Sequence, residues 1–73
     1  MTGSPMLVDA RGLRCPWPVL RLSRAARQLE RPGAIRIMAD DPLAATELQQ
    51  LCAEMGWNFS RCDQESTFDV EIG

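Results

Sequence analysis

The stretch Met6-Leu7-Val8-Asp9-Ala10-Arg11-Gly12-Leu13-Arg14-Cys15-Pro16-Trp17-Pro18-Val19 decides how this chain is read. Residues 6–10 form the short apolar run of a strand, and Gly12 supplies a turn with positive φ. Two prolines follow within three residues, at positions where a helix start tolerates them. From Val19 to Leu29 the apolar Val19, Leu22, Ala26 and Leu29 recur at helical spacing, while Arg21, Arg24, Arg27 and Arg31 fall on another side. The segment therefore predicts a strand, a tight turn and an amphipathic helix carrying an arginine stripe.

Working outward, Pro32-Gly33 ends that helix, and Ala34 to Ala39 reads as a second strand with two fairly apolar faces apart from Arg36. Two strands joined by a helix imply a parallel βαβ unit with a right-handed crossover. Asp40-Asp41-Pro42 predicts a second helix, with Asp41 as N-cap and Pro42 at the first helical position. Ala44, Leu48, Leu51, Cys52 and Met55 make its apolar stripe, and Gly56 stops it. Trp57 to Cys62 alternates as a third strand, and Asp63 to Ser66 form a turn. Thr67 to Ile72 alternates as a fourth strand, with Phe68, Val70 and Ile72 inward and Asp69 and Glu71 outward. The order is βαβαββ, which predicts an α+β two-layer sandwich: a four-stranded mixed sheet with two helices on one face. Residues 1–5 are expected to be a flexible tail and residues 6–73 a single domain.

At 73 residues the chain has room for one core, and its 45% hydrophobic content is that of a globular protein. Its whole stability is on the order of 4–11 kcal/mol. No apolar run approaches the roughly 18 residues of a membrane span, and the polar start Met1-Thr2-Gly3-Ser4-Pro5 lacks the features of a secretion signal. A cytoplasmic monomer without membrane contact is expected. Three cysteines, Cys15, Cys52 and Cys62, are an odd number, which argues against a disulfide framework. The chain has no His and no CxxC pair, so the usual zinc spacings and Cys-His nucleophile pairs are excluded. Neither metal nor organic cofactor is expected.

The net charge of -2 divides along the chain. Residues 1–36 carry seven Arg against Asp9 and Glu30, giving +5; residues 37–73 carry Arg61 against eight acids, giving -7. The Arg stripe is either an ordinary solvated face or a docking surface for an acidic protein or RNA.

Cys15 is the candidate for chemistry. With Cys15 as N-cap, Pro16, Trp17 and Pro18 occupy the first three helical positions, and the prolines remove two of about four unpaired N–H donors. The N–H groups of Trp17 and Val19 are left near the sulfur. A helix N-terminus carries about half a positive charge, and nearby Arg14 and Arg11 add to it. Such surroundings lower a cysteine pKa from about 8.5 toward roughly 3.5–7.5 and would equally favour an anionic persulfide. The alternative is that Cys15 is merely a small residue in a rigid strand-to-helix turn.

The run Leu7 to Leu20, with Cys15-Pro16-Trp17-Pro18 at its centre, resembles the CPxP signature of the TusA/SirA/YedF family. Ala39-Asp40-Asp41-Pro42, Cys52, Gly56 and the alternation Phe68 to Ile72 extend the likeness from about Leu7 to Ile72. The resemblance implies a two-layer α/β sandwich and a sulfur carrier whose CPxP cysteine, here Cys15, accepts a persulfide sulfur. The donor would be a cysteine desulfurase or rhodanese, and an acceptor relay protein would take the sulfur toward tRNA thiolation, molybdenum cofactor synthesis or sulfur oxidation. Trp17 stands where Glu is common in the tRNA-thiolation members. Arg14, Pro16, Trp17, Pro18, Val19, Arg11 and Asp41 are the expected supporting residues, Asp41 being allowed near the cysteine face by the resemblance. Trp17 is either an exposed partner contact or packs beside the sheet. Cys52 is expected in the core and Cys62 to be an ordinary strand residue. Two other readings stand beside this one. The first is a nucleic-acid-binding or regulatory module using the Arg face, against which the acidic pI of about 4.9 weighs. The second is a thiol redox sensor pairing Cys15 with Cys52 or Cys62.

Overall fold

The computed structural model describes residues 5–62 and 65–73; the expected tail before Pro5 and the Asp63-Gln64 part of the expected turn lie outside the described residues. Six elements follow one another: β1 (Met6–Asp9), α1 (Trp17–Gln28), β2 (Gly33–Met38), α2 (Ala44–Met55), β3 (Asn58–Arg61) and β4 (Thr67–Ile72). The strands form one sheet in the order β1-β2-β4-β3, parallel between β1 and β2 and antiparallel at the other two junctions. This is the expected mixed sheet with both helices on one face.

Period-two alternation assigns the two faces of the sheet. Met6 and Val8 pair with Ile35 and Ile37, which pair in turn with Val70 and Phe68. Ile35, Ile37, Phe68, Val70 and Ile72 are buried beneath the helices with Leu22, Ala25, Ala26, Ala44, Leu48 and Cys52. Each fully buried aliphatic side chain of this set contributes about 1.5–3 kcal/mol of transfer free energy. Phe59 of β3 stacks on Phe68 with ring centroids 5.6 Å apart, which closes the core at the β3 side. On the open face Arg36 and Asp69 are direct cross-strand partners and form a two-pronged ion pair at 2.8 and 3.2 Å.

Both helices start later than their local sequence suggests. Pro16, not Cys15, is the N-cap of α1, so Trp17 and Pro18 hold its first two positions. The Trp17 N–H donates to the Arg14 carbonyl at 2.8 Å, closing a turn that keeps Cys15 and Pro16 outside the helix. Pro42 lies in a turn, and α2 begins at Ala44 with Leu43 as N-cap. Asp41 nevertheless supplies the capping chemistry from upstream: its Oδ1 accepts the Leu43 N–H at 2.9 Å and its carbonyl accepts the Ala44 N–H at 2.9 Å. Helix α2 ends at Gly56 in the left-handed conformation, φ 76°, as expected. Met55, expected on the buried stripe, is 53% exposed. Periodicity tells which side of a helix is apolar but not how far the helix overlaps its sheet.

Candidate functional site

Parallel pairing of β1 with β2 brings the ends of both strands to one edge of the sheet, where the loop into α1 meets the loop into α2. Gly12 turns the first loop with φ 81° and donates its N–H to Asp40 Oδ1 at 2.9 Å. Three residues later the Cys15 N–H donates to Asp41 Oδ2 at 2.8 Å. The Asp40-Asp41 pair thus ties the cysteine loop to the start of α2 across 26 positions of sequence. The Leu43 N–H and the Cys15 N–H hold the Asp41 carboxyl below the usual carboxylate range.

Cys15 is half-buried at the entrance to α1, and its thiol donates to Glu47 Oε2 at 2.7 Å. Glu47 stands in the first turn of α2, where the positive end of the helix favours a carboxylate. The hydrogen bond to Glu47 pushes the thiol up from 9.0 to about 11, assisted by desolvation and by the charges of Glu47 and Asp41. This reverses the expectation of an acidified thiol. A helix terminus moves an exposed group by less than about one pH unit. A carboxylate in direct contact outweighs it.

The arginines do not supply the expected counter-field. Arg11 is turned away into a two-pronged pair with Asp9, at 2.9 Å for each nitrogen. Arg14 is exposed and lines an open depression of about 350 Å³ with Gly12, Leu13, Asp40, Asp41 and Pro42. The Trp17 N–H, expected near the sulfur, is taken by the Arg14 carbonyl. Of the remaining expected site residues, Pro18 is buried in the first turn of α1, Val19 packs against the core and Pro16 is exposed beside Cys15. Trp17 is 56% exposed, so of its two alternatives the structure takes the solvent-facing one. Arg21, Arg24, Arg27 and Arg31 are all exposed. Cys52 is buried in the core, and desolvation pushes its thiol up as well. Cys62 is half-buried beyond the end of β3.

Sequence reasoning missed Glu47. Its signal was an acidic residue three positions after Ala44 and next to Leu48, at the edge of the apolar stripe of α2 rather than on its opposite side. Among the described residues, no group of three His, Cys, Asp or Glu is arranged to hold a metal ion, and no helix is long and apolar enough to cross a membrane.

The same strand, loop and helix arrangement occurs in a solved relative. The crystal structure of a SirA-like protein from Desulfitobacterium hafniense superposes with a TM-score of 0.75 at 26% identity, covering 92% of this chain and 93% of that one. By sequence the chain is similar to proteins named sulfur carrier protein TusA. It is 35% identical over 49 residues to the one from Pseudomonas entomophila, which covers 67% of this chain and 61% of the relative. It is 33% identical over 63 residues to the one from Pseudomonas syringae pv. tomato, covering 85% of this chain and 75% of the relative. The alignment thus spans less than two thirds of the length of the first of these. The family model described as sulfurtransferase TusA matches residues 6–72, so the loop that carries Cys15 and the helix that carries Glu47 both fall inside it, and the chain belongs to the sulfurtransferase TusA family.

Proposed function

We propose that this chain is a cytoplasmic sulfur carrier that acts as a single domain over residues 6–73, with Cys15 as the residue that takes and gives sulfur. In loading, the Sγ of Cys15 attacks the outer sulfur of a donor persulfide held by an enzyme such as a cysteine desulfurase or rhodanese. An Sγ–S bond forms, the donor S–S bond breaks, and the donor leaves as a thiolate. The sulfur atom moves between two thiols at the same oxidation level, so no external oxidant is consumed. In delivery, an acceptor thiol attacks the outer sulfur and Cys15 leaves as the thiol.

The observation that carries the reading is the position of Cys15. It is half-exposed at the tip of a loop pinned by Asp40 and Asp41, whereas Cys52 is sealed in the core. Membership of the TusA family and the CPxP run Cys15 to Pro18 support it. Exposed Trp17 and the Arg face of α1 stand beside this loop as contacts for donor and acceptor proteins.

Loading with a cysteine desulfurase and cysteine, followed by intact-mass measurement, tests the reading. The wild-type chain gains one sulfur, which a thiol reductant removes, and C15S gains none. An equal gain in C15S would end the proposal. A second reading, binding of nucleic acid, is favoured only by exposed Arg21, Arg24 and Arg27 on α1 and Arg31 just beyond it. It requires an RNA affinity that falls steeply with salt and is unaffected by C15S.

A further inference from the structure

The direct contact between Sγ and a carboxylate from a different helix has a chemical consequence. We infer that Glu47 is the proton acceptor for Cys15 in sulfur loading, so that the thiol attacks from its resting, protonated form and is never released as a free thiolate beforehand. This inference rests on Cys15 being the sulfur acceptor and adds the residue that takes its proton.

Three observations converge on it. The Glu47 Oε2 lies 2.7 Å from Sγ, within the reach required of a general base. Glu47 is half-buried and anchored by its neighbour Leu48, which is fully buried in the core, so the carboxylate is held by the packing of α2 rather than by a mobile loop. The other charged groups around the sulfur cannot substitute. Asp41 is occupied by two backbone N–H groups, Arg11 by Asp9, and Arg14 is a cation with no proton-accepting capacity. The chain contains no His to serve as base.

The step balances. Cys15 thiol, Glu47 carboxylate and a protonated donor persulfide give Cys15 persulfide, Glu47 carboxylic acid and the donor thiolate. The Sγ–S bond forms as the donor S–S bond breaks, the Cys15 proton passes to Oε2, and the net charge is unchanged. Glu47 then returns its proton to the departing thiolate or to water. The same contact explains why a carrier without a histidine rests in a protonated, poorly reactive state: the carboxylate that suppresses the thiolate is also the group that removes the proton when a donor arrives.

The test compares wild type with E47Q in loading by glutathione persulfide, a small probe that needs no docking surface, across about pH 6 to 8. If Glu47 accepts the proton, wild-type loading does not depend on free thiolate. E47Q, which must wait for thiolate, then speeds up about tenfold per pH unit. The ratio of wild-type to E47Q rate therefore falls about 100-fold across the range, and any pH dependence of the probe cancels. If both proteins react through free thiolate, the ratio stays constant and the inference is overturned. E47D, which keeps a carboxylate one methylene shorter, retains the shallow pH dependence even where its rate is lower; a steep E47D profile matching that of E47Q would count against the inference. Failure of the underlying reading looks different, because wild type then gains no sulfur or C15S gains as much.

Discussion

Replacing Glu47 by Gln preserves the size of the side chain and removes its charge. The Cys15 thiol then loses its hydrogen bond to a carboxylate, the main cause of its rise from 9.0 to about 11. A return toward 9.0 raises the thiolate population near neutral pH about 100-fold, since each pKa unit is a factor of ten. The Cys15 thiolate is read by the ultraviolet absorbance gained on titration with base, with C15S subtracted so that Cys52 and Cys62 cancel. The midpoint should fall from about 11 toward 9.0 in E47Q. An unmoved or higher midpoint in E47Q would refute the electrostatic reasoning. The same contact leaves a signature in stability. A thiol whose folded value lies above its ordinary one stabilises the fold at low and neutral pH, and that contribution fades as pH rises from 9.0 toward about 11. Wild type should lose thermal stability across this window and E47Q should not.

Three further outcomes follow from the geometry. L48A removes a side chain with no exposed surface and should cost about 2–5 kcal/mol, lowering the thermal midpoint by more than roughly 10 °C for a chain of this size. It should also slow sulfur loading at temperatures where the chain is still folded, because Leu48 anchors the turn that carries Glu47. G56A meets nothing within 4 Å but must hold φ 76°, so its cost is purely conformational, about 1 kcal/mol, or roughly 4–8 °C by calorimetry. The Asp41 carboxyl is held low by the Leu43 and Cys15 N–H groups, so its contribution is present above the ordinary carboxylate value of 3.8 and fades as pH falls below it. Thermal melts below about pH 4 should therefore decline less steeply in D41N than in wild type.

Much of the scaffold was legible in the sequence because its determinants are local. Thr67 to Ile72 alternates apolar and polar residues and is a strand over that same range; Gly56 stops α2 in the conformation glycine favours; Pro32 lies between α1 and β2, which begins at Gly33. The parallel pairing of β1 with β2 follows from the helix between them. Strand ends shifted by one residue, with β1 ending at Asp9, β2 running Gly33–Met38 and β3 running Asn58–Arg61. The site was less legible. Cys15 and Asp41 were recognised as near one another through the family likeness, but Glu47 meets Cys15 across 32 positions of sequence, only because α1 and α2 pack side by side. A local reading credits Cys15 with the field of its own helix and of adjacent arginines. The packed structure sends Arg11 to Asp9 and brings a carboxylate onto the sulfur instead.

The most direct measurement of the central claim is a peptide map of the unaltered three-cysteine chain after sulfur loading, with persulfides trapped by alkylation. The account predicts that the added sulfur resides on the peptide bearing Cys15, with Cys52 and Cys62 recovered as ordinary alkylated thiols. Sulfur found mainly on Cys62, or shared among all three, would contradict it.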